Sequence, residues 1–141
     1  MVIRGLSTSL LMLVVVTPIG CGRSEPAGVT GRGSVTVDGR PLVGAVITLQ
    51  PIAPTTGPKA TAPIFDGKFE IPRSAELHGG TYLVRFTMMP PELRRQLSVE
   101  SNVRPPPEDA VIRSDFDSDS RLNWEILPDQ ENSRRFEVKF Q

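Results

Sequence analysis

The chain has one cysteine, one histidine, one tryptophan and one tyrosine among its 141 residues. A lone cysteine, Cys21, has no partner for an intramolecular disulfide, so packing alone must hold the fold. A lone histidine, His78, leaves one candidate base for a Ser-His-Asp triad. No Gly-x-Ser-x-Gly elbow accompanies it, and it precedes Gly79-Gly80 in an expected loop. No enzymatic activity is expected on these grounds, and a hydrolase with an unrecognised site is the alternative. Excess charge of either sign is also lacking, with 16 basic and 16 acidic side chains. That balance argues against nucleic acid or an anionic membrane surface as a partner. The apolar run Leu10 to Val16 falls well short of the roughly 20 residues that a permanent membrane-spanning helix needs. No internal repeat of solenoid period is present.

Met1 to Gly20 read as a signal peptide: Arg4 supplies the positive start, Leu10 to Val16 the apolar core, Pro18 a break and Gly20 the small residue of a cleavage site. Pro18-Ile19-Gly20-Cys21 resembles a lipobox, with Pro18 where an aliphatic residue is usual. The expectation is cleavage before Cys21 and lipidation of its thiol by diacylglycerol, with an N-acyl chain such as palmitate. The alternative is a stray cysteine beside an ordinary cleavage site. Two or more acyl chains anchor a protein stably where one binds only marginally. The expected partner of Cys21 is therefore the membrane, with a periplasmic or extracellular domain. Gly22, rather than Asp, after the cysteine favours the outer membrane. Removing Met1 to Gly20 from 141 residues leaves 121, enough for one domain. Residues 21–28 form a polar tether and 29–141 the domain.

Abundant Gly and Pro favour turns and short strands over long helices. Val29, Gly31, Gly33, Val35 and Val37 share one face of a first strand, which ends at the turn Asp38-Gly39-Arg40-Pro41. Ala45 to Leu49 form the next strand, ended by Pro51, and a Pro/Thr/Gly-rich loop runs from Ile52 to Ala60. Thr61–Phe65 and Lys68–Ile71 flank Asp66-Gly67 as a hairpin. Pro72 to His78 holds one helical turn. Thr81 to Met88 is a strand with Tyr82, Val84, Phe86 and Met88 on one face, and Pro90 to Leu97 a short helix. After an irregular stretch through Pro105-Pro106-Pro107, strands Arg121–Leu127 and Arg134–Phe140 flank the turn Pro128 to Asn132. In the last strand Phe136, Val138 and Phe140 point inward, against Arg135, Glu137 and Lys139. About seven such strands predict an all-β fold, an antiparallel seven-strand β-sandwich.

The run Val35 to Pro51, with Asp38-Gly39-Arg40-Pro41-Leu42 and Gly44-Ala45 at its centre, resembles the opening of carboxypeptidase regulatory-like domains. Asp66-Gly67-Lys68-Phe69-Glu70-Ile71 is similar to the next hairpin of that family, and Gly79-Gly80-Thr81-Tyr82-Leu83-Val84 to its Gly-x-Tyr strand. Ser120 to Ile126 and Phe136 to Val138 are similar to the final hairpin of small planctomycete lipoproteins. The resemblance implies a transthyretin-like (prealbumin-like) sandwich. It implies no activity: hydroxyisourate hydrolases of this fold use more than one histidine and a C-terminal Tyr-Arg-Gly-Ser, whereas this chain ends Val138-Lys139-Phe140-Gln141. The zinc carboxypeptidase catalytic domain is absent from the chain. The shared residues are turn and core residues, which shape a backbone and carry no chemistry.

Three further candidates remain. Asp115, Asp117 and Asp119 alternate as in a calcium loop, although Ser120 and Ile126 stand where such a loop needs Gly and Glu. The other reading is a solvated approach to a strand, with Phe116 packed inward. An intramolecular Lys–Asn isopeptide, as in related pilin domains, needs a buried lysine, and Lys59, Lys68 and Lys139 are expected in turns, loops or on an outer face. Trp124 and Tyr82 fit either a glycan platform or the core, and the core is favoured. The expected function is that of a non-enzymatic, membrane-tethered binding or structural module of the envelope, with a protein or glycan partner and no cofactor. The alternative is a small-ligand or glycan-binding lipoprotein.

Overall fold

The computed structural model describes residues 28–100 and 103–141. Cys21, the expected signal peptide and most of the expected tether lie outside the described residues. The elements run β1 (Gly31–Val37), β2 (Arg40–Pro41), β3 (Ala45–Pro51), β4 (Ala60–Ile64), β5 (Lys68–Ile71), β6 (Gly80–Met88), α1 (Pro91–Glu100), β7 (Asn123–Ile126) and β8 (Asn132–Val138). Short 3-10 turns occupy Arg73–Ala75 and Ser114–Phe116. The fold is all-β in two four-stranded sheets. In the first, β1 has β8 on one side, and β5 and the two-residue β2 in tandem on the other. The second runs β4-β3-β6-β7 and is wholly antiparallel.

Period-two alternation sends one face of each strand inward. Val35 and Val37, Ile47 and Leu49, Ala62 and Ile64, Phe69 and Ile71, Tyr82 to Phe86 in steps of two, Trp124 and Ile126, and Phe136 and Val138 are all buried in one core. Rings from both sheets meet there edge to face. Phe69 lies 6.0 Å from Trp124, and Phe136 lies 5.2 Å from Phe86 and 6.0 Å from Trp124. Such pairs add to what burial alone contributes. Gly33 makes this possible, since a Cβ there would sit 2.7 Å from the Phe69 ring.

Four expectations change. The Asp66-Gly67 turn forms, with positive φ at both residues and mutual backbone hydrogen bonds between Phe65 and Lys68 of 2.8 and 2.7 Å. It does not make a hairpin within one sheet: β4 joins β3, and β5 joins β1. The turn is a corner between the layers. Likewise β7 and β8 are not a final hairpin, because β7 pairs with β6 and β8 with β1. Finally, β1 and β8 run parallel over seven register pairs, from Gly31↔Asn132 to Val37↔Val138, so the fold is not purely antiparallel. The helix also extends to Glu100, beyond the expected Leu97.

Candidate binding clefts

The segment Val103–Pro107 includes three consecutive prolines, which have no N–H to donate to a ladder. The prolines can be tied down only through their carbonyls, and a guanidinium, which is all donor, complements them. Arg94, on the first turns of α1, supplies that partner. Its Nη1 donates to the Pro107 carbonyl at 2.9 Å and its Nη2 to the Glu108 carbonyl. The side chain is buried, 6% exposed, and its stem lies where a Cβ on Gly44 would come within 2.6 Å of Cγ. Gly44, at φ +74°, thus makes room for the arginine. The Nε of Arg94 has no hydrogen-bond partner among the described residues.

This strap forms one wall of a cleft of about 830 Å³. Val37, Pro41, Leu42 and Val43 line the facing wall, and Phe140 also contributes. Asp38, Arg40 and Arg104 add charged groups to a mainly apolar lining. Apolar walls with a few polar groups are the usual make-up of a small-ligand site. A second depression, of about 980 Å³, is broader and more open. It spreads over the outer face of the first sheet, where Arg32, Ser34, Lys68, Glu70, Ser133 and Arg135 project, and reaches Phe65 and Asp66 at the corner turn.

The residues singled out in the sequence are distributed otherwise. Asp115, Asp117 and Asp119 do not form a metal-binding set, and no group of three or more His, Cys, Asp or Glu among the described residues is placed to hold an ion. The reason is local: Asp115 pairs with Arg113 at 2.9 Å, Asp117 accepts from Thr87 Oγ1 at 2.9 Å, and Ser118 Oγ meets Asp119 at 3.4 Å. The loop is clamped to β6, where Arg85 Nη2 donates to the Ser118 carbonyl at 2.7 Å and buried Ser120 Oγ to the Val84 carbonyl at 2.6 Å. Phe116 packs against the core.

Trp124 and Tyr82 are core residues, 4% and 0% exposed, so neither offers a face to a glycan. The Tyr82 hydroxyl is spent on the backbone of His78, donating to its carbonyl at 3.0 Å and accepting from its N–H at 3.1 Å. The exposed His78 ring meets Thr56 Oγ1 at 3.3 Å. Lys59, Lys68 and Lys139 are all exposed, which removes the buried lysine an isopeptide needs. Sequence reasoning missed Arg94. A helix-surface arginine carries no local sign of burial, and only Gly44 and the proline run, 50 and 11 residues away, would have hinted at it. No helix among the described residues is long and apolar enough to cross a membrane. Comparison with protein-family models, with curated proteins and with solved structures finds no match to this chain.

Proposed function

We propose that this chain is a lipid-anchored, non-enzymatic binding module of a bacterial cell envelope, on a transthyretin-like sandwich of the carboxypeptidase regulatory-like kind whose seven main strands are β1 and β3 to β8, with the two-residue β2 an addition to them. Its domain faces the periplasm or the exterior, held by lipid on Cys21, in the outer membrane. The strap cleft is the observation that carries the binding role. Its mainly apolar lining, with Arg40 and Arg104 among the charged groups, suits a small ligand with an apolar body and an acidic group. The non-enzymatic reading is supported by the setting of His78, the one histidine, whose ring is exposed and meets a threonine. The anchor is supported by the order of apolar run, Gly20, Cys21 and polar residues.

Mass spectrometry of the N-terminus of the native protein tests the anchor, with Cys21→Ser as control. The expected species begins at Cys21 and carries a diacylglycerol and an N-acyl chain, and Cys21→Ser leaves the membrane fraction. An unmodified Cys21, or cleavage elsewhere, removes the anchor and with it the envelope assignment.

A further inference from the structure

Strand register gathers a row of side chains on the outer face of the first sheet. Ser34 of β1 pairs with Lys68 of β5 on one side and with Arg135 of β8 on the other. All three project away from the core, because Phe69, Val35 and Phe136 beside them point in. Neighbouring strands lie about 4.8 Å apart, so the two cationic strands are roughly 9.6 Å apart, with a short hydroxyl between them. The row is a trough with a cation on each bank.

The next row along, Glu70, Arg32 and Ser133, is closer to neutral, since Arg32 faces Glu70 across the strands and forms an ion pair with Glu131. Lys68 and Arg135 form no ion pair among the described residues. Asp66 and Glu137 are the nearest acidic neighbours in sequence, each two residues from one of the two cations. Phe65, 50% exposed, lies at the Lys68 end of the trough, where it is bridged to Lys68 by backbone hydrogen bonds.

We propose that this trough binds an acidic polysaccharide, with carboxylate-bearing sugars held by Arg135 and Lys68, the Ser34 hydroxyl between them and a sugar face on Phe65. The guanidinium of Arg135 offers a paired donor edge to a planar carboxylate, and the Lys68 ammonium a compact second charge. An exposed aromatic ring provides apolar contact for the C–H face of a sugar. The depression is open, as a site for a chain polymer must be. Recognition of a membrane surface by charge takes clusters of roughly four to eight basic residues, and the basic residues that line the depression, Arg32, Lys68, Arg134 and Arg135, share it with the acidic Asp66 and Glu70. The site depends on neither Cys21 nor the strap cleft. It gives the glycan reading a location separate from both.

Affinity electrophoresis of the mature chain in gels containing polygalacturonate tests the proposal, with neutral dextran gels as control. Flotation with vesicles of mixed phosphatidylglycerol and phosphatidylcholine tests the membrane as the competing surface. The expected result is retardation by polygalacturonate alone. Lys68→Ala/Arg135→Ala should weaken it at least tenfold and Phe65→Ala by a few fold, and raised salt should abolish it. These side chains are exposed, so an unchanged melting temperature is expected and keeps loss of binding separate from loss of fold. Absence of retardation, retardation unchanged in the double variant, or equal binding to the vesicles would each overturn the proposal.

Discussion

Asn132 and Arg94 are buried to the same extent, 6% exposed, and both donate to backbone carbonyls. Asn132 stands where the chain crosses from one sheet to the other. Its Oδ1 accepts from the Leu127 N–H at 2.7 Å, and its Nδ2 reaches the carbonyls of Leu127, Gln130 and Thr30 at 2.9 to 3.2 Å. Both ends of the amide are used. Arg94 reaches two carbonyls of a strap that lies outside both sheets, and leaves Nε without a partner. The first arrangement closes a seam between elements with full ladders. The second holds a segment outside the ladders, and the chain after it rejoins the fold through Arg113 N–H to the Lys139 carbonyl and Gln141 N–H to the Val111 carbonyl. Equal burial therefore hides unequal roles: Asn132 belongs to the global fold, and Arg94 to the local stability of a cleft wall.

Asn132→Ala should have the largest effect. It strips the Leu127 N–H of its partner and leaves the Thr30 and Leu127 carbonyls short of a donor at a part-buried crossing. A loss of about 2–3 kcal/mol is expected. For a domain of this size, that corresponds to a fall of roughly 10 °C in melting temperature. Calorimetry reads this directly. A fall of only a degree or two would mean that the seam is held by strand pairing alone.

Arg94→Ala should be smaller and confined. The two carbonyls it releases belong to exposed residues, Pro107 and Glu108, and regain water, so the melting temperature should move by only a few degrees. The local equilibrium should shift far more. The Ala110 N–H, bonded to the Pro107 carbonyl at 3.0 Å, should exchange with solvent at least tenfold faster, while amides of β1, β3 and β6 keep their protection. Arg94→Met keeps a stem against Gly44 and removes both donors and the orphaned Nε, so it should loosen the strap at less cost to packing. If exchange accelerates throughout the sheets, the strap is part of the cooperative core and the contrast with Asn132 fails.

What could be read in advance follows the same division between local and remote. The alternation in Val35–Val37 and Tyr82–Phe86 and the two Asp-Gly turns are properties of a few adjacent residues, and the structure places those residues as their pattern requires. Sheet partners are not local. Asp66-Gly67 specifies a tight reversal whether or not the strands stay together afterwards, and only the core decides that β4 and β5 part. Asn132 read as the end of a turn because its partner Thr30 is 102 residues distant. Lys68 and Arg135 were each legible as outward residues, but the row they form through Ser34 depends on a parallel pairing that no adjacent residues announce. The aspartates mislead for a mixed reason: their spacing matches a metal loop, but Asp115 is taken by nearby Arg113 and Asp119 by Ser118, while the partner of Asp117, Thr87 on β6, lies 30 residues away.

The smallest effect should come from the residue next to Asn132. Glu131 pairs with Arg32, so it ties the same crossing to the same strand, β1. Its pair lies in solvent, with side chains 65% and 61% exposed. Each ion keeps most of its hydration whether or not the pair forms, and two long side chains must be ordered to make it. Arg32→Ala should therefore cost no more than about 0.5 kcal/mol, a shift within roughly 2 °C by calorimetry. A double-mutant cycle with Glu131→Ala should return a coupling of the same size, falling further as salt is raised. A coupling above about 1 kcal/mol would show that the crossing draws on charge as well as on the buried amide. Two consecutive residues serving one junction, with contributions differing severalfold, would isolate desolvation as the variable: the Asn132 amide is buried and replaces water for the groups it bonds, whereas the exposed Arg32 finds water at once.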